Sequence, residues 1–495
     1  MFTPVIDILL FGAFLIPPIG YIEQKTRMPG LKAIFTTSLL LASLAFAFSL
    51  HNDAIKGIVT VPRDPRPLAF SLGIDRLGIL MAVLAIFIGL MASIFSLRYM
   101  EKDASLTEYY TALVLMVAGM VGVAFSADLL TFFIFWELMC LTSYALVAFR
   151  KETWEAVEAG FKYLLMSGAG SAILLMGFSL LYAIAGSLNL GALAIALRQA
   201  SLTDKPWLLV IFTLLLAGFG IKAALAPFHT WLPDAHPAAP SPISALLSGV
   251  MIKMGVYGLM RLSILLFLPI VSTWQGWLMV LSILTMFTGN LSALLQSDIK
   301  RLLAFSSIAQ IGYILFGLAL GTLEGITGSL FHIINHALMK GLLFLSAGAF
   351  FHSTGTRNLK LLEGVGRKMP ITGMTFALGA LAIAGLPSLN GFMSELYIIN
   401  AGIRTGQFFG ITLMILNIIL SVAYYLRTIQ IILLRRPTES LQKIHEVPLS
   451  MLIPMVLLSI LCIIIGIYPE PILEESRAAA SALLDWMLYA KAFVP

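Results

Sequence analysis

Apolar runs of about twenty residues recur from one end of this chain to the other, with only short polar stretches between them. A helix of that length spans the roughly 30 Å hydrocarbon core of a bilayer. The 495 residues would otherwise suggest several soluble domains. Hydropathy overrides length, because 59% of residues are hydrophobic and only 11% are charged, about half the usual globular share. The expected fold is an all-α polytopic membrane protein.

Composition also narrows the function classes. The net charge of +6 comes without any basic tract interleaved with aromatics, so it points to membrane orientation and not to nucleic acid. Cys140 and Cys462 lie alone in apolar segments, with no CxxC for an iron–sulfur cluster or structural zinc. No GxGxxG follows a strand and no GxxxxGK[ST] occurs. The chain is expected to carry no cofactor or metal of its own, so any work it does draws energy from elsewhere. The N-terminus lacks a basic region and a small-residue cleavage site, and reads as a retained first helix.

Windowed hydropathy places about fourteen spanning helices, over 4–22, 31–50, 76–98, 108–126, 128–149, 156–185, 206–230, 242–262, 270–296, 302–321, 326–351, 371–402, 407–434 and 448–468. The stretch "ILEESRAAASALLDWMLYAKAF" that follows is amphipathic and expected on the surface or against a neighbour. One set of alternate loops, with Lys25, Arg27, Lys32, Arg98, Lys102, Arg150, Lys151, Lys300, Arg301, Arg357, Lys360, Arg367, Lys368, Arg435, Arg436 and Lys443, is about twice as rich in Lys and Arg as the other. The poorer set counts Lys56, Arg63, Arg66, Arg76, Arg198, Lys205, Arg261 and Arg404. The richer side is expected to be cytoplasmic, in a cell membrane, with both termini outside.

Two helices are interrupted alike. The seventh reads "GIKAALAPFHTWLPDAHPAAPSP", broken by Pro227 and Pro233, and the twelfth reads "AGLPSLNGFMSELY", broken by Pro387 and Gly391. Breaks five helices apart imply two inverted five-helix repeats, helices 4–8 and 9–13, with ion sites near the breaks. The chain then divides into an N-terminal unit (1–107), a first repeat (108–262), a second repeat (263–434) and a last helix with the amphipathic segment (435–495).

A charged group at mid-bilayer costs roughly 2.5–3.5 kcal/mol on insertion scales, so each needs a reason. Glu137 lies mid-helix in "FFIFWELMCLTSY", Lys222 just before the seventh helix breaks, Lys253 mid-eighth helix, and Glu395 just after the twelfth breaks. The signs suit the breaks: free carbonyls at a helix C-terminus favour Lys222, and free N–H groups at an N-terminus favour Glu395. Pro227 should also release the carbonyl of Ala223. "LFHIINHALMKGLLF" carries His332, His336 and Lys340 at i, i+4 and i+8, on one face of the eleventh helix. Together these groups could form a row of proton donors and acceptors in the membrane plane. Pairing and unpairing of Glu137 with Lys222 would gate the lysine. Ser167, Ser171, Ser306, Ser307 and Gln310 could hold water between the sites.

Plainer roles compete. Glu137 and Lys222 could be a static ion pair, Lys253 a structural partner, and the two histidines interhelical hydrogen-bond groups. The HxxxH spacing suits two metal ligands, but no third is near and the glutamate of HExxH is absent. His229 and His236 are cavity-lining or structural with equal weight. Lys162 near the start of the sixth helix reads as snorkelling to the interface.

The segments "APFHTWLPDAHPAAPSPISALLSGVMIKMGVYGLMRL" (226–262), "SDIKRLLAFSSIAQIGY" (297–313) and "LFHIINHALMKGLLFLSAG" (330–348) resemble the antiporter-like subunits shared by respiratory complex I, Mrp antiporters and membrane-bound hydrogenases. The wording of 235–258 is most similar to the hydrogenase-linked branch, of formate hydrogenlyase and archaeal membrane-bound hydrogenase or sulfane-sulfur reductase type. The resemblance implies an ion-translocating subunit, proton before Na⁺, in a redox-driven complex. Its partners would be other membrane-arm subunits and a peripheral redox arm that holds the iron–sulfur clusters and active-site metal. It maps the family's proton-transfer residues onto Glu137, Lys222, Lys253, His332, His336, Lys340 and Glu395. Several relatives have Lys at the place of Glu395 and many have His at that of Gln310, and the loop glutamate of complex I relatives is replaced near Ala238. Two rival readings follow: a subunit of a self-contained Na⁺/H⁺ antiporter, or a structural anchor that translocates nothing.

Overall fold

The computed structural model describes residues 3–28, 30–55, 57–61, 70–199 and 206–493. Lys56, Arg63, Arg66 and Lys205, counted above as loop charges, lie outside the described residues. Helices α1 (Pro4–Thr26), α2 (Leu31–Ala54), α3 (Arg76–Tyr99), α4 (Leu106–Ala124), α5 (Leu129–Val147) and α6 (Trp154–Ala185) open the bundle. A short hairpin, β1 (Val59–Val61) against β2 (Leu72–Ile74), joins α2 to α3. The surface helix α7 (Leu190–Gln199) precedes α8 (Pro206–Lys222), α9 (Leu232–Ala238) and α10 (Ser241–Leu246), the last running through a π-helical turn (Leu247–Met251) into α11 (Ile252–Leu265). Then come α12 (Val271–Leu294), α13 (Ile299–Ala319), α14 (Leu323–Thr354), α15 (Val365–Lys368), α16 (Pro370–Ile383), α17 (Asn390–Arg404), α18 (Phe408–Ile429), α19 (Leu449–Ile467), α20 (Glu470–Leu484) and α21 (Trp486–Phe493).

Among the described residues twelve helices are long and apolar enough to cross a membrane. About fourteen were expected, and the shortfall falls on the two interrupted ones. The seventh, expected over 206–230, ends as a 17-residue helix at Lys222. The twelfth, expected over 371–402, is two helices, α16 and α17. Chain breaking by Pro and Gly therefore acts earlier than their positions suggest: α8 stops before Pro227, with Ala224 in the left-handed region (φ 55). The indole of Trp231 donates to the carbonyl of Ile221 at 2.8 Å, which also accepts from the N–H of Ala224.

Symmetry is visible in the backbone. Asp128 caps α5 and bridges to Asn189 after α6; Asp298 caps α13 and bridges to Asn358 after α14. The helices α6 and α14 are each 32 residues long, and each is followed by a broken helix. Corresponding helices lie five crossings apart and so run in opposite directions.

Burial sorts the helices. The crossing Ser241–Leu265 is wholly buried, and α13 and α14 nearly so, whereas α1, α2, α6, α12 and α18 expose most of their surface. The exposed residues are apolar, including Phe14, Leu41, Leu141, Phe161 and Ile419, as a lipid-facing belt requires. Exposed Trp154, Trp207 and Trp277 lie near helix ends, where indoles favour the headgroup level.

Several counted loop charges lie in helix ends, and two, Lys300 and Arg261, are almost fully buried. Lys300 is buried in the first turn of α13. Arg261 is buried within α11 and pairs with Asp75, the N-cap of α3, at 3.2 Å. Its guanidinium also donates to the Tyr257 hydroxyl, which donates to the Ala124 carbonyl at 2.7 Å. The amphipathic segment forms α20 and α21, and Tyr489 of α21 donates to the other oxygen of Asp75. Hydropathy missed this cluster because Arg261 and Asp75 sit at the ends of apolar runs, where a charge is ordinary.

Breaking a buried ion pair from one side leaves an uncompensated charge, at a cost of about 3–5 kcal/mol. Arg261→Met is therefore expected to lower the thermal stability of the detergent-solubilised protein strongly, and Asp75→Asn/Arg261→Met to recover most of the loss. Equal melting temperatures for the two variants would contradict the assignment.

Candidate functional site

Four of the seven ionisable residues expected in the row lie near the midpoint of their helices. Glu137 is near the midpoint of α5, Lys253 of the crossing Ser241–Leu265, and His336 and Lys340 of α14. Lys222 is the last residue of α8, and Glu395 lies in the second turn of α17. Lys222, Lys253, His332, His336, Lys340 and Glu395 are all buried, Lys253 and the three α14 residues in the most buried helices, whereas Glu137 is partly exposed.

Lys222 does not meet Glu137. Its ammonium donates to the Tyr163 hydroxyl at 2.7 Å and lies 3.5 Å from the Ser167 hydroxyl. It faces the rings of Trp136, Tyr144 and Tyr163 at 6.0, 5.4 and 4.8 Å, an aromatic cage that favours a cation. Tyr163 is held by a stacked Trp231 ring at 4.1 Å and by Ser143 at 2.9 Å. The three cage rings come from α5 and α6, and Trp136 and Tyr144 share one face of α5 with Cys140. Glu137, one residue round the helix from Trp136, has one carboxylate oxygen buried without a partner among the described residues. The expected contact between Glu137 and Lys222 is therefore absent in this structure.

Close packing sets the next step. Gly255 of α11 lies where a Cβ would stand 2.7 Å from the Ala223 nitrogen, so only glycine lets the end of α8 approach α11. The π-turn just before Lys253 disrupts the normal ladder, and the lysine donates to the Ser248 carbonyl within that turn. The Ser248 hydroxyl meets that of Ser307 at 2.7 Å. Lys340 donates to the Leu303 carbonyl at 2.8 Å and toward the Tyr425 hydroxyl at 3.3 Å, which meets Ser306 at 2.7 Å. Lys253, Lys340 and His336 lie within electrostatic reach of one another.

His332 is poised for either charge state. Its Nε2 is 2.6 Å from Gln310 Oε1 and its Nδ1 is 2.9 Å from Ser394 Oγ. Neutral, the ring donates from Nε2 while Ser394 donates to Nδ1. Protonated, Nδ1 donates to Ser394, whose hydroxyl then turns to the Gly391 carbonyl at 3.0 Å. A proton can arrive or leave without heavy atoms moving. The ring of His336 is nearly parallel to that of His332, with centroids 6.1 Å apart, and neither of its nitrogens has a partner among the described residues. Glu395 Oε1 is also unpartnered, and its other oxygen lies against Gly385 (φ 78), where a side chain would collide with it.

Sequence reasoning missed Tyr163, Tyr425 and Ser394, whose hydroxyls contact Lys222, Lys340 and His332 respectively. It also missed Lys300, whose ammonium donates to the carbonyls of His236 and Ala239 at the break between α9 and α10. His236 stacks on Phe344 at 4.6 Å with both ring nitrogens unpartnered, and His229 also has an unpartnered nitrogen. A tyrosine or serine in an apolar helix gives little signal by itself. Lys162 pairs with Glu158 and Asp234 in a half-exposed cluster.

Residues 126–421 match the signature described as "NADH:quinone oxidoreductase/Mrp antiporter, TM", and residues 65–110 that of the complex I chain 5 N-terminus. The chain belongs to this family of antiporter-like membrane subunits. Family relatives include NADH-quinone oxidoreductase subunit N of Desulforudis audaxviator, 34% identical with 86% of each chain covered. The F(420)H(2) dehydrogenase subunit N of Methanosarcina mazei is 31% identical over 97% of this chain and 96% of its own. A chain of the archaeal membrane-bound sulfane sulfur reductase superposes with a TM-score of 0.89 at 27% identity, covering 99% of both chains. This antiporter-like subunit thus shares its whole architecture with a component of a respiratory membrane complex.

A hydrogen bond to a charged group is worth about 1.5–3 kcal/mol. Tyr163→Phe is expected to destabilise the protein by that amount, and Tyr163→Ala by about 3–5 kcal/mol because the ring is lost as well. In a Lys222→Met background the Phe effect should fall near zero, read by unfolding in micelles as a double-mutant cycle. An undiminished Phe effect in that background would show that the hydroxyl does not act on Lys222.

Proposed function

We propose that this subunit translocates protons within a multi-subunit redox-driven membrane complex, of complex I or membrane-bound hydrogenase kind. The observation that carries the reading is the series of buried ionisable side chains, Lys253, His336 and Lys340 near helix midpoints and Lys222 and Glu395 at the two helix breaks, with the hydroxyls of Tyr163, Tyr425 and Ser394 on Lys222, Lys340 and His332. In this reading protons enter from the cytoplasm by Glu137 and Lys222. They pass Lys253, Lys340, His336 and His332, and leave by Glu395 on the other side. Electron transfer on partner subunits, which would hold the iron–sulfur clusters and active-site metal, changes the charge or hydration along the row. Moving one charge against 100 mV takes about 2.3 kcal/mol, within reach of a redox step. With the Lys- and Arg-rich loops in the cytoplasm of a cell membrane, both termini face outside.

Vesicles containing the whole complex test this directly. Lys253→Met is expected to abolish redox-driven proton uptake while the complex stays assembled. Ser394→Ala removes one neutral hydrogen bond, worth about 0.5–1.5 kcal/mol, and should slow uptake up to about tenfold. Unchanged pumping in both variants would make the row a structural axis. ΔpH-driven sodium flux in vesicles holding this chain without redox subunits would favour the Na⁺/H⁺ antiporter reading, which the family's Mrp members represent.

A further inference from the structure

One crevice lies on the far side of α14 from the titratable row. It is bounded by α2, α3, α14, α19 and α20, and has a volume of about 330 Å³. Leu80, Val83, Phe87, Ile334, Leu338 and Ile465 represent its wall, which is apolar throughout its length. The polar groups at its edge are His51 and Glu475, which face each other at 3.6 Å and are both partly exposed.

Position says what fits. The mouth lies where α2 and α19 end and α20 begins, on the side of the C-terminal helices. The floor, at Ile334 and Leu338, lies at the midpoint of α14. Along α3 the wall runs from Ile79 to Phe87, about 12 Å at 1.5 Å per residue. Half the hydrocarbon core of a bilayer is about 15 Å. The crevice is therefore one leaflet deep, with its ionic pair at headgroup level and its blind end at the midplane. Apolar side chains are exposed on both flanks, Leu41 and Phe48 of α2 and Ile460 and Ile464 of α19, as contact with acyl chains requires. A quinone ring would find no hydrogen-bond donor inside the apolar wall.

We propose that this crevice is a binding site for one acyl chain of a bilayer phospholipid, whose headgroup rests at His51 and Glu475. The chain packs against Ile334 and Leu338, roughly 200° around α14 from their neighbours His332 and His336. The lipid thus backs the helix that carries the histidines. This assignment does not depend on what the row transports.

The test uses the assembled complex in nanodiscs of phosphatidylethanolamine and phosphatidylglycerol, with a small fraction of phosphatidylethanolamine carrying a diazirine on one acyl chain. After photolysis, label is expected on Leu80–Phe87 and Ile334–Leu338 at several times the level on Phe14 and Ile419, which face lipid openly. Val83→Trp or Leu338→Phe, each filling the crevice, should remove the excess label there and leave that on Phe14 and Ile419 unchanged. Uniform labelling, excess label that survives both variants, or displacement of the label by a short-chain quinone would overturn the proposal. So would cross-linking of a partner subunit's helix to these positions.

Discussion

An ammonium group inside a bilayer has to find hydrogen-bond acceptors that the helices around it can spare, and the rest of this architecture depends on how that demand is met. Lys253 takes the Ser248 carbonyl, exposed by a π-turn. Lys300 takes the carbonyls of His236 and Ala239, freed where α9 gives way to α10. Lys340 adds itself to the Leu303 carbonyl in an otherwise regular helix. Lys222, at the end of α8, uses a tyrosine hydroxyl and three aromatic rings. Three of the four lysines lie at irregular backbone, which membranes tolerate only where it is buried in protein or lines a cavity. The stretch from the break at Ala224 through the π-turn into α11 is accordingly almost wholly buried from Trp231 on.

The neutral and acidic members behave differently. His332 has both nitrogens engaged by groups that can reverse their hydrogen-bond direction, so its charge can change within a fixed frame. His336, His236, Glu137 and Glu395 retain buried polar atoms without partners among the described residues. Unsatisfied buried groups cost stability, and polar groups left so in an apolar interior are candidates for function. The ionic cluster of Arg261, Asp75 and Tyr489 has another character. Its carboxylate serves at once as helix cap, ion-pair partner and acceptor for the C-terminal helix, which ties the ends of three segments together.

Much of this was legible in the residues. A charge in an apolar run is visible without a structure, and Glu137, Lys222, Lys253, His332, His336, Lys340 and Glu395 were found in this way. The two helix breaks were legible from Pro and Gly, although their onset was not: α8 ends at Lys222 because the chain turns at Ala224 before it reaches proline. Tyr163 was not legible, because a tyrosine is ordinary in a membrane helix and gains its meaning only from Lys222, 59 residues away. Nor was the Arg261–Asp75 pair, which spans 186 residues.

By itself, the sequence determined that the chain crosses a membrane many times, that two crossings are interrupted, and which side chains cannot be left unexplained there. These follow from hydropathy and from the cost of burying charge, both properties of short segments. The tertiary structure alone decided that Lys222 rests in an aromatic cage and not on Glu137, that hydroxyls of Tyr163, Tyr425 and Ser394 contact Lys222, Lys340 and His332, and that a one-leaflet crevice opens behind α14. Each depends on the register of helices far apart in the chain. That register is set by side-chain packing and by close approaches such as Gly255 on Ala223, which no single segment encodes.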